Sequence, residues 1–225
     1  MWIPRLPALQ RDASSDGLSF LATDCANLRH LPYNQFVGEH RNHGREAILD
    51  ATSRIIRTQG ILGTTISRIV SESGMSAGAI YHHFPNKQAI ILAVVDAALE
   101  LPRTALIQYR TSPSSPQELL AYALYALRAD RDLSKLLVQL GAGAAADEPL
   151  GHALSERFGQ VQEELSTTLR AWAQENSLDP DKVQSYDQLM RGLILGFAVQ
   201  RYLIESFDED TYIANSLELM AIETK

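Results

Sequence analysis

The chain is expected to be all-α, with a three-helix head joined by a long helix to a mostly six-helix body. Three observations predict this. From Gly44 onward, apolar residues recur at intervals of three and four, the spacing of one helix face. Gly, Pro, Ser, Thr and Asp interrupt those runs where helix caps belong. No strand pattern of alternating apolar and polar residues appears beyond Pro116. At 225 residues and 45% hydrophobic content, the chain can bury one small domain plus one of about 100–150 residues.

Residues 1–42 are the least legible part, because Pro4, Pro7 and Pro32 interrupt them and Leu18 to Ala22 is too short to assign. A disordered N-terminal extension is expected there. Ile48, Ala51, Ile55 and Ile56 form the stripe of a first helix, which Gly60 stops. Thr65 caps a second helix with Ile66, Ile69 and Val70 on one face, and Gly74 ends it by taking a left-handed conformation. Ser76 then caps a third helix, and Asn86 a fourth. The fourth continues through Ile90, Ile91, Val94, Val95, Ala98 and Leu99, with Pro102 expected to kink it before Tyr109. The Thr111–Pro116 run has loop composition. Helices are expected near 117–129, 131–145, 149–176, 180–206 and 210–223, separated by Asp130, Asp147 to Pro149, Asp179-Pro180 and Asp208.

The segment from Thr64 to Lys87 carries the chemistry. Two short helices meet at a tight turn, and the second opens with Ser76-Ala77-Gly78-Ala79, whose small side chains let its N-terminal end sink into a DNA major groove. Ile80 and Phe84 are left to bury against the preceding helix. Tyr81, His82 and Lys87 add a phenol, an imidazole and an ammonium, and the helix start at Asn86 favours an anion, for which phosphate is the natural choice.

Gly60 to Ile90 resembles the N-terminal DNA-binding domain of the TetR/AcrR family of one-component transcriptional regulators. The matching positions are Thr65, Ile69-Val70, Gly74-Met75-Ser76 and Tyr81-His82-His83-Phe84-Pro85-Asn86-Lys87. Val70 stands where the family usually has alanine, and Ala79 where threonine is frequent. The resemblance implies DNA contacts from Arg45, Thr65, Ser67, Arg68, Ser76, Ala77, Gly78, Ala79, Tyr81, His82 and Lys87. It also implies a helix-turn-helix domain over 43–90, and a ligand-binding and dimerisation domain over 91–225. Partners are then a double-stranded DNA operator, a small-molecule effector and a second copy of the chain. No cofactor is expected. Family members begin a short arm before the first helix, so residues 1–36 are expected to contribute no core, with Val37 marking a natural start.

Charge distribution agrees. The formal net charge is −7, yet Glu39 to Ile90 has six Lys or Arg against four Asp or Glu, while Ile91 to Lys225 has eleven against twenty. A mildly basic head on an acidic body turns the head toward DNA. Cys25 is the sole cysteine, which excludes an intramolecular disulfide and a multi-cysteine zinc site. The first residues carry prolines and charges where a secretory signal needs an apolar core, and no run approaches about 18 apolar residues. A cytoplasmic protein without a membrane span is expected.

In the body, Gly192 and Gly196 flatten one side of an apolar helix, suiting either a dimer contact or packing within the chain. The family's four-helix dimer bundle favours the first, with Val199, Leu203, Tyr212, Leu217 and Met220 alongside. A ligand pocket is expected from Leu106, Tyr109, Tyr122, Tyr125, Phe158, Arg191 and Leu195, aromatics of this kind serving either core or cavity walls. Arg191 suits an acidic ligand group or its helical neighbour Asp187. Catalysis is not expected, since Glu163-Glu164 lie on a polar helix and neither a glycine-rich phosphate loop nor an activated-serine motif occurs. Nor is a metal site from His40, His43, His82 and His83, because adjacent histidines on a helix diverge and the resemblance assigns His82 and His83 to DNA contact and packing.

Overall fold

Helix α1 (His43–Gly63) is two pieces merged across Gly60, whose φ of 75° no helix interior accommodates. It is followed by α2 (Ile66–Ser73), α3 (Ala77–His83), α4 (Lys87–Gln108), α5 (Pro116–Ala129) and α6 (Arg131–Ala146), then by α7 (Glu148–Glu175), α8 (Pro180–Leu203) and α9 (Glu209–Leu219). The structure, a computed structural model, describes residues 43–108 and 114–222. Among these no strand occurs, and no helix is long and apolar enough to cross a membrane. The expected N-terminal extension, Val37, Tyr109 and the start of the Thr111–Pro116 loop lie outside the described residues.

Each helix start has a local cause. Ser115 and Glu118 form a reciprocal capping box ahead of Pro116. Asp130, Asp147, Asp179 and Asp208 accept backbone N–H groups at the starts of α6, α7, α8 and α9. Two expected ends move. Helix α8 stops at Leu203 rather than 206, because Ile204 adopts extended backbone, and α9 stops at Leu219 rather than 223. Pro102 lies inside α4, which runs on to Gln108; the ring removes one backbone hydrogen bond without ending the helix.

Two apolar clusters form the core. The first gathers Ile48 and Ile56 of α1, Ile69 of α2, Ile80 of α3 and Ile90 to Val95 of α4, and extends to Leu136 and Leu140 of α6 and Leu150 and Leu154 of α7. The second joins α5, α7, α8 and α9 through Leu120, Leu124, Leu169, Trp172, Phe197 and Ile213. Each fully buried side chain of this kind contributes about 1.5–3 kcal/mol relative to exposure. The head therefore shares its core with α6 and α7. At that joint Ile61 fills a notch at Gly143, where an added Cβ would lie 3.0 Å from the Ile61 Cβ. Arg57 reaches Asp132 at 3.6 Å beside it.

Candidate nucleic-acid interface

The reading unit is built by its caps. Thr65 Oγ1 accepts the Arg68 N–H at 3.3 Å and Ser76 Oγ accepts the Ala79 N–H at 3.2 Å. Gly74, at φ 70° and ψ 5°, closes the turn between them. Ile69 and Ile80 are fully buried and Phe84 nearly so, which fixes α2 and α3 against α1. Arg54 of α1 adds an exposed 3.0 Å bridge to Glu72 of α2.

With that face buried, the opposite one is presented. Arg45, Thr65, Ser67, Arg68, Ser76, Ala77, Gly78, Tyr81 and His82 are exposed, and Ala79 and Lys87 are half-buried. Nine of the eleven residues expected at DNA are thus exposed, and the other two are partly so. Nothing but the Ser76 hydroxyl, 4.0 Å away, would meet a Cβ added at Gly78, so the first turn of α3 stands clear. Some of these side chains are also engaged internally. The Arg68 guanidinium donates to the Gly63 carbonyl at 2.6 Å, and Arg45 lies over the Phe84 ring at 5.2 Å. At the start of α4, Asn86 Oδ1 accepts the Ala89 N–H at 2.8 Å, which sets Lys87 in the first turn of a 22-residue helix.

Of the residues expected to line a ligand pocket, the described ones divide between the two clusters and the surface. Leu106 is buried in the second cluster and Tyr125 packs against it, whereas Phe158 packs against the first cluster. Leu195 is 51% exposed. Arg191 pairs with Asp187 at 3.4 Å, the neighbour on its own helix. Asp187 itself is buried, and burial pushes its carboxyl pKa up while Arg191 and then Gln162 pull it down.

The expected dimer residues divide as well. Leu217 and Met220 are buried within the chain's own second cluster, and the Tyr212 hydroxyl donates to the Leu193 carbonyl at 2.8 Å. Gly196 serves that internal contact, since an added Cβ would stand 2.7 Å from the Tyr212 hydroxyl. Gly192, by contrast, faces open space. Together with the exposed Leu189, Leu195, Val199, Tyr202 and Leu203 it makes an outward apolar stripe along α8. The three- and four-residue spacing of that stripe was present in the sequence; which glycine faced outward was not.

Sequence reasoning missed Arg201 altogether. Its side chain is 2% exposed, and it donates to both Glu209 carboxylate oxygens at 2.9 and 2.8 Å, to the Leu127 carbonyl at 2.6 Å and to Ser134 at 3.0 Å. It lies 5.0 Å over the Phe197 ring. It ties α8 and α9 to the α5–α6 turn, and only tertiary structure brings those partners together.

Residues 48–94 match the family model described as bacterial regulatory proteins, tetR family. The HTH-type transcriptional regulator LmrA of Bacillus subtilis is 31% identical over 121 residues, 51% of this chain and 64% of that relative, so the chain spans just under two thirds of its length. The transcriptional regulator FadR of Bacillus subtilis, solved in complex with stearoyl-CoA, has the same fold, with a TM-score of 0.64 and 19% identity over 78% of this chain and 97% of that one. A transcriptional regulator from Saccharomonospora viridis, solved in complex with choline, gives a TM-score of 0.63 and 17% identity over 80% and 96%.

Proposed function

We propose that this chain, whose residues 48–94 match the model of the tetR family of bacterial regulatory proteins, is a DNA-binding transcriptional regulator of that kind and, more closely, a dimeric, effector-responsive repressor of a near-palindromic operator. The observation that carries the reading is the clear, small first turn of α3, flanked by the exposed Tyr81 and His82 and by Lys87 at a helix N-terminus. That arrangement sets groove contact beside phosphate contact, so one element reads bases while its neighbour fixes the register. The methyl groups of Ala77 and Ala79 suit thymine methyls, and Ser67, Arg68 and Ser76 supply hydrogen bonds.

Two heads must meet successive major grooves about 34–36 Å apart, or a small multiple of that. The stripe of Leu189, Gly192, Leu195, Val199 and Leu203 is the surface offered for the dimer, because a second copy of the same stripe would cover it by two-fold symmetry. Residues 43–90 form the DNA-binding domain in this reading, and residues 91–225 the domain for effector and dimerisation. The shared packing of α1, α4, α6 and α7 gives an effector a physical route to the head. An inducer acts by binding the geometry that does not fit DNA more tightly than the one that does. A cytoplasmic site of action accompanies this role. Two relatives by fold were solved with stearoyl-CoA and with choline, which supports an effector for this chain without naming it.

Lys87→Ala tests the reading directly. Binding is expected to weaken alike for operator and random duplex, with the slope of log affinity against log salt flattening by about one unit. An unchanged slope, or a loss confined to one sequence, removes Lys87 from the phosphate contacts.

A further inference from the structure

Among the described residues, two buried side-chain atoms lack a hydrogen-bond partner, Asp187 Oδ1 and Arg103 Nε. Such atoms are uncommon in a folded core and call for a cause, because burial removes the water that would otherwise serve them. Arg103 belongs to α4 and Asp187 to α8, two helices that both pack on α7. On α7, Arg157 bonds Asp96 of α4 at 3.3 Å and Thr168 bonds the Leu106 carbonyl at 3.4 Å, so α4 and α7 run side by side with Arg103 between those two ties. Gln162, in the same stretch of α7, hydrogen-bonds the Asp187 carboxylate of α8 and favours its charged form.

That stretch is where the two apolar clusters meet. Leu99 and Phe158 pack on the head-side cluster, whereas Leu106 and Leu165 belong to the second. Gln162 and Asp187 thus form a polar seam at the level where the two apolar clusters meet, with Asp187 Oδ1 left without a hydrogen-bond partner. Arg191 contacts only the other carboxylate oxygen, Oδ2, at 3.4 Å, and its side chain is 39% exposed. It reaches solvent from the seam and can swing outward without crossing the core.

We propose that Asp187 is the anchor of the effector site and that the effector is a protonated amine with an apolar body, its N–H group donating to Oδ1. This inference rests on the effector-responsive reading above and adds the chemistry of the ligand. A carboxylate in apolar surroundings selects a cation over a neutral or anionic analogue. An ammonium that carries N–H groups satisfies the orphaned oxygen, and a quaternary ammonium does not. The apolar residues on either side of the seam take the hydrocarbon part.

The test is calorimetric titration of the full chain with three probes that share one apolar body: octylamine, octyltrimethylammonium and octanoate. Octylamine is expected to bind at one site per chain, about tenfold or more tighter than octyltrimethylammonium, the size of effect a hydrogen bond to a charged group supports. Asp187→Asn, nearly isosteric, is expected to weaken both cations and to abolish the tenfold preference for octylamine over octyltrimethylammonium. Arg191→Gln, which removes the competing cation, is expected to keep or strengthen octylamine binding, and it decides the matter if the first variant does not fold. Equal octylamine affinity in parent and Asp187→Asn overturns the assignment. Binding of octanoate without octylamine also overturns it, while leaving the effector-responsive reading in place. Binding of none of the three counts against both.

Discussion

The head and the body of this protein are built by different means. In the head, Thr65, Gly74, Ser76 and Asn86 each act within three or four residues of the backbone groups they satisfy, and all but Arg45 of the residues expected at DNA fall in one run of chain, 65–87. In the body, the decisive contacts join residues far apart in sequence, such as Arg201 to the Leu127 carbonyl and Gln117 to the Leu217 carbonyl. A site made of local geometry survives as a motif and can be recognised. A site made by helices meeting across a core leaves no local trace, and it can take a different ligand with few changes of sequence.

The sharpest way to break the comparison is Arg201→Ala. It would take a buried donor from the Glu209 carboxylate, the Leu127 carbonyl and Ser134, while Arg131 and Arg128 stay within 3.6 and 4.0 Å of Glu209, so the loss is expected near that of hydrogen bonds to a charged group, about 1.5–3 kcal/mol. Denaturant unfolding is expected to show that loss. A smaller one, near the level of an exposed bridge, would mean that the body tolerates local failure as the head does.

Next in size is a contrast between two glycines on α8. Gly196→Leu forces carbon against the Tyr212 hydroxyl, which an added Cβ already meets at 2.7 Å, and overpacking of this kind costs about 1–3 kcal/mol. Gly192→Leu meets nothing within 4 Å in the single chain. It is expected to spare monomer stability and helicity but to shift sedimentation toward monomer if α8 is the dimer face. Should Gly196→Leu alone alter assembly, the outward stripe is not the interface.

The smallest effect concerns the seam. Burial raises the folded-state pKa of Asp187, so the folded protein holds this proton over a window that starts in the ordinary carboxylate range and ends at the raised value. Stability contributed by that proton falls as pH climbs through the window and stays lower above it. Asp187→Asn is expected to remove this fall, so its melting temperature should gain on the parent between acid and neutral pH. A difference that stays constant with pH would place the carboxyl in a less costly environment.

These predictions also mark what the sequence could hold. Helix order and most caps were legible because apolar spacing and capping residues are local, as Ser76 and Asp179 illustrate. Nine of the eleven residues expected at DNA are exposed for the same reason, with Ala79 and Lys87 partly buried. The body's residue roles were not legible. Leu217 and Met220 look no different from interface residues until α9 is folded onto α5 and α8, where they are buried. Leu195 reads as a pocket residue until the helix phase turns it outward. The end of α8 depended on extended backbone at Ile204, for which Phe207 and Asp208 give only a weak signal.

The central claim is that the α3 surface, carried twice by a symmetric dimer, reads DNA. Footprinting of the purified full chain on duplexes selected from a random pool tests it most directly. Two protected half-sites related by a two-fold axis are expected, with centres about 34–36 Å or a small multiple apart. A single unpaired footprint, or protection without sequence preference, would contradict the account.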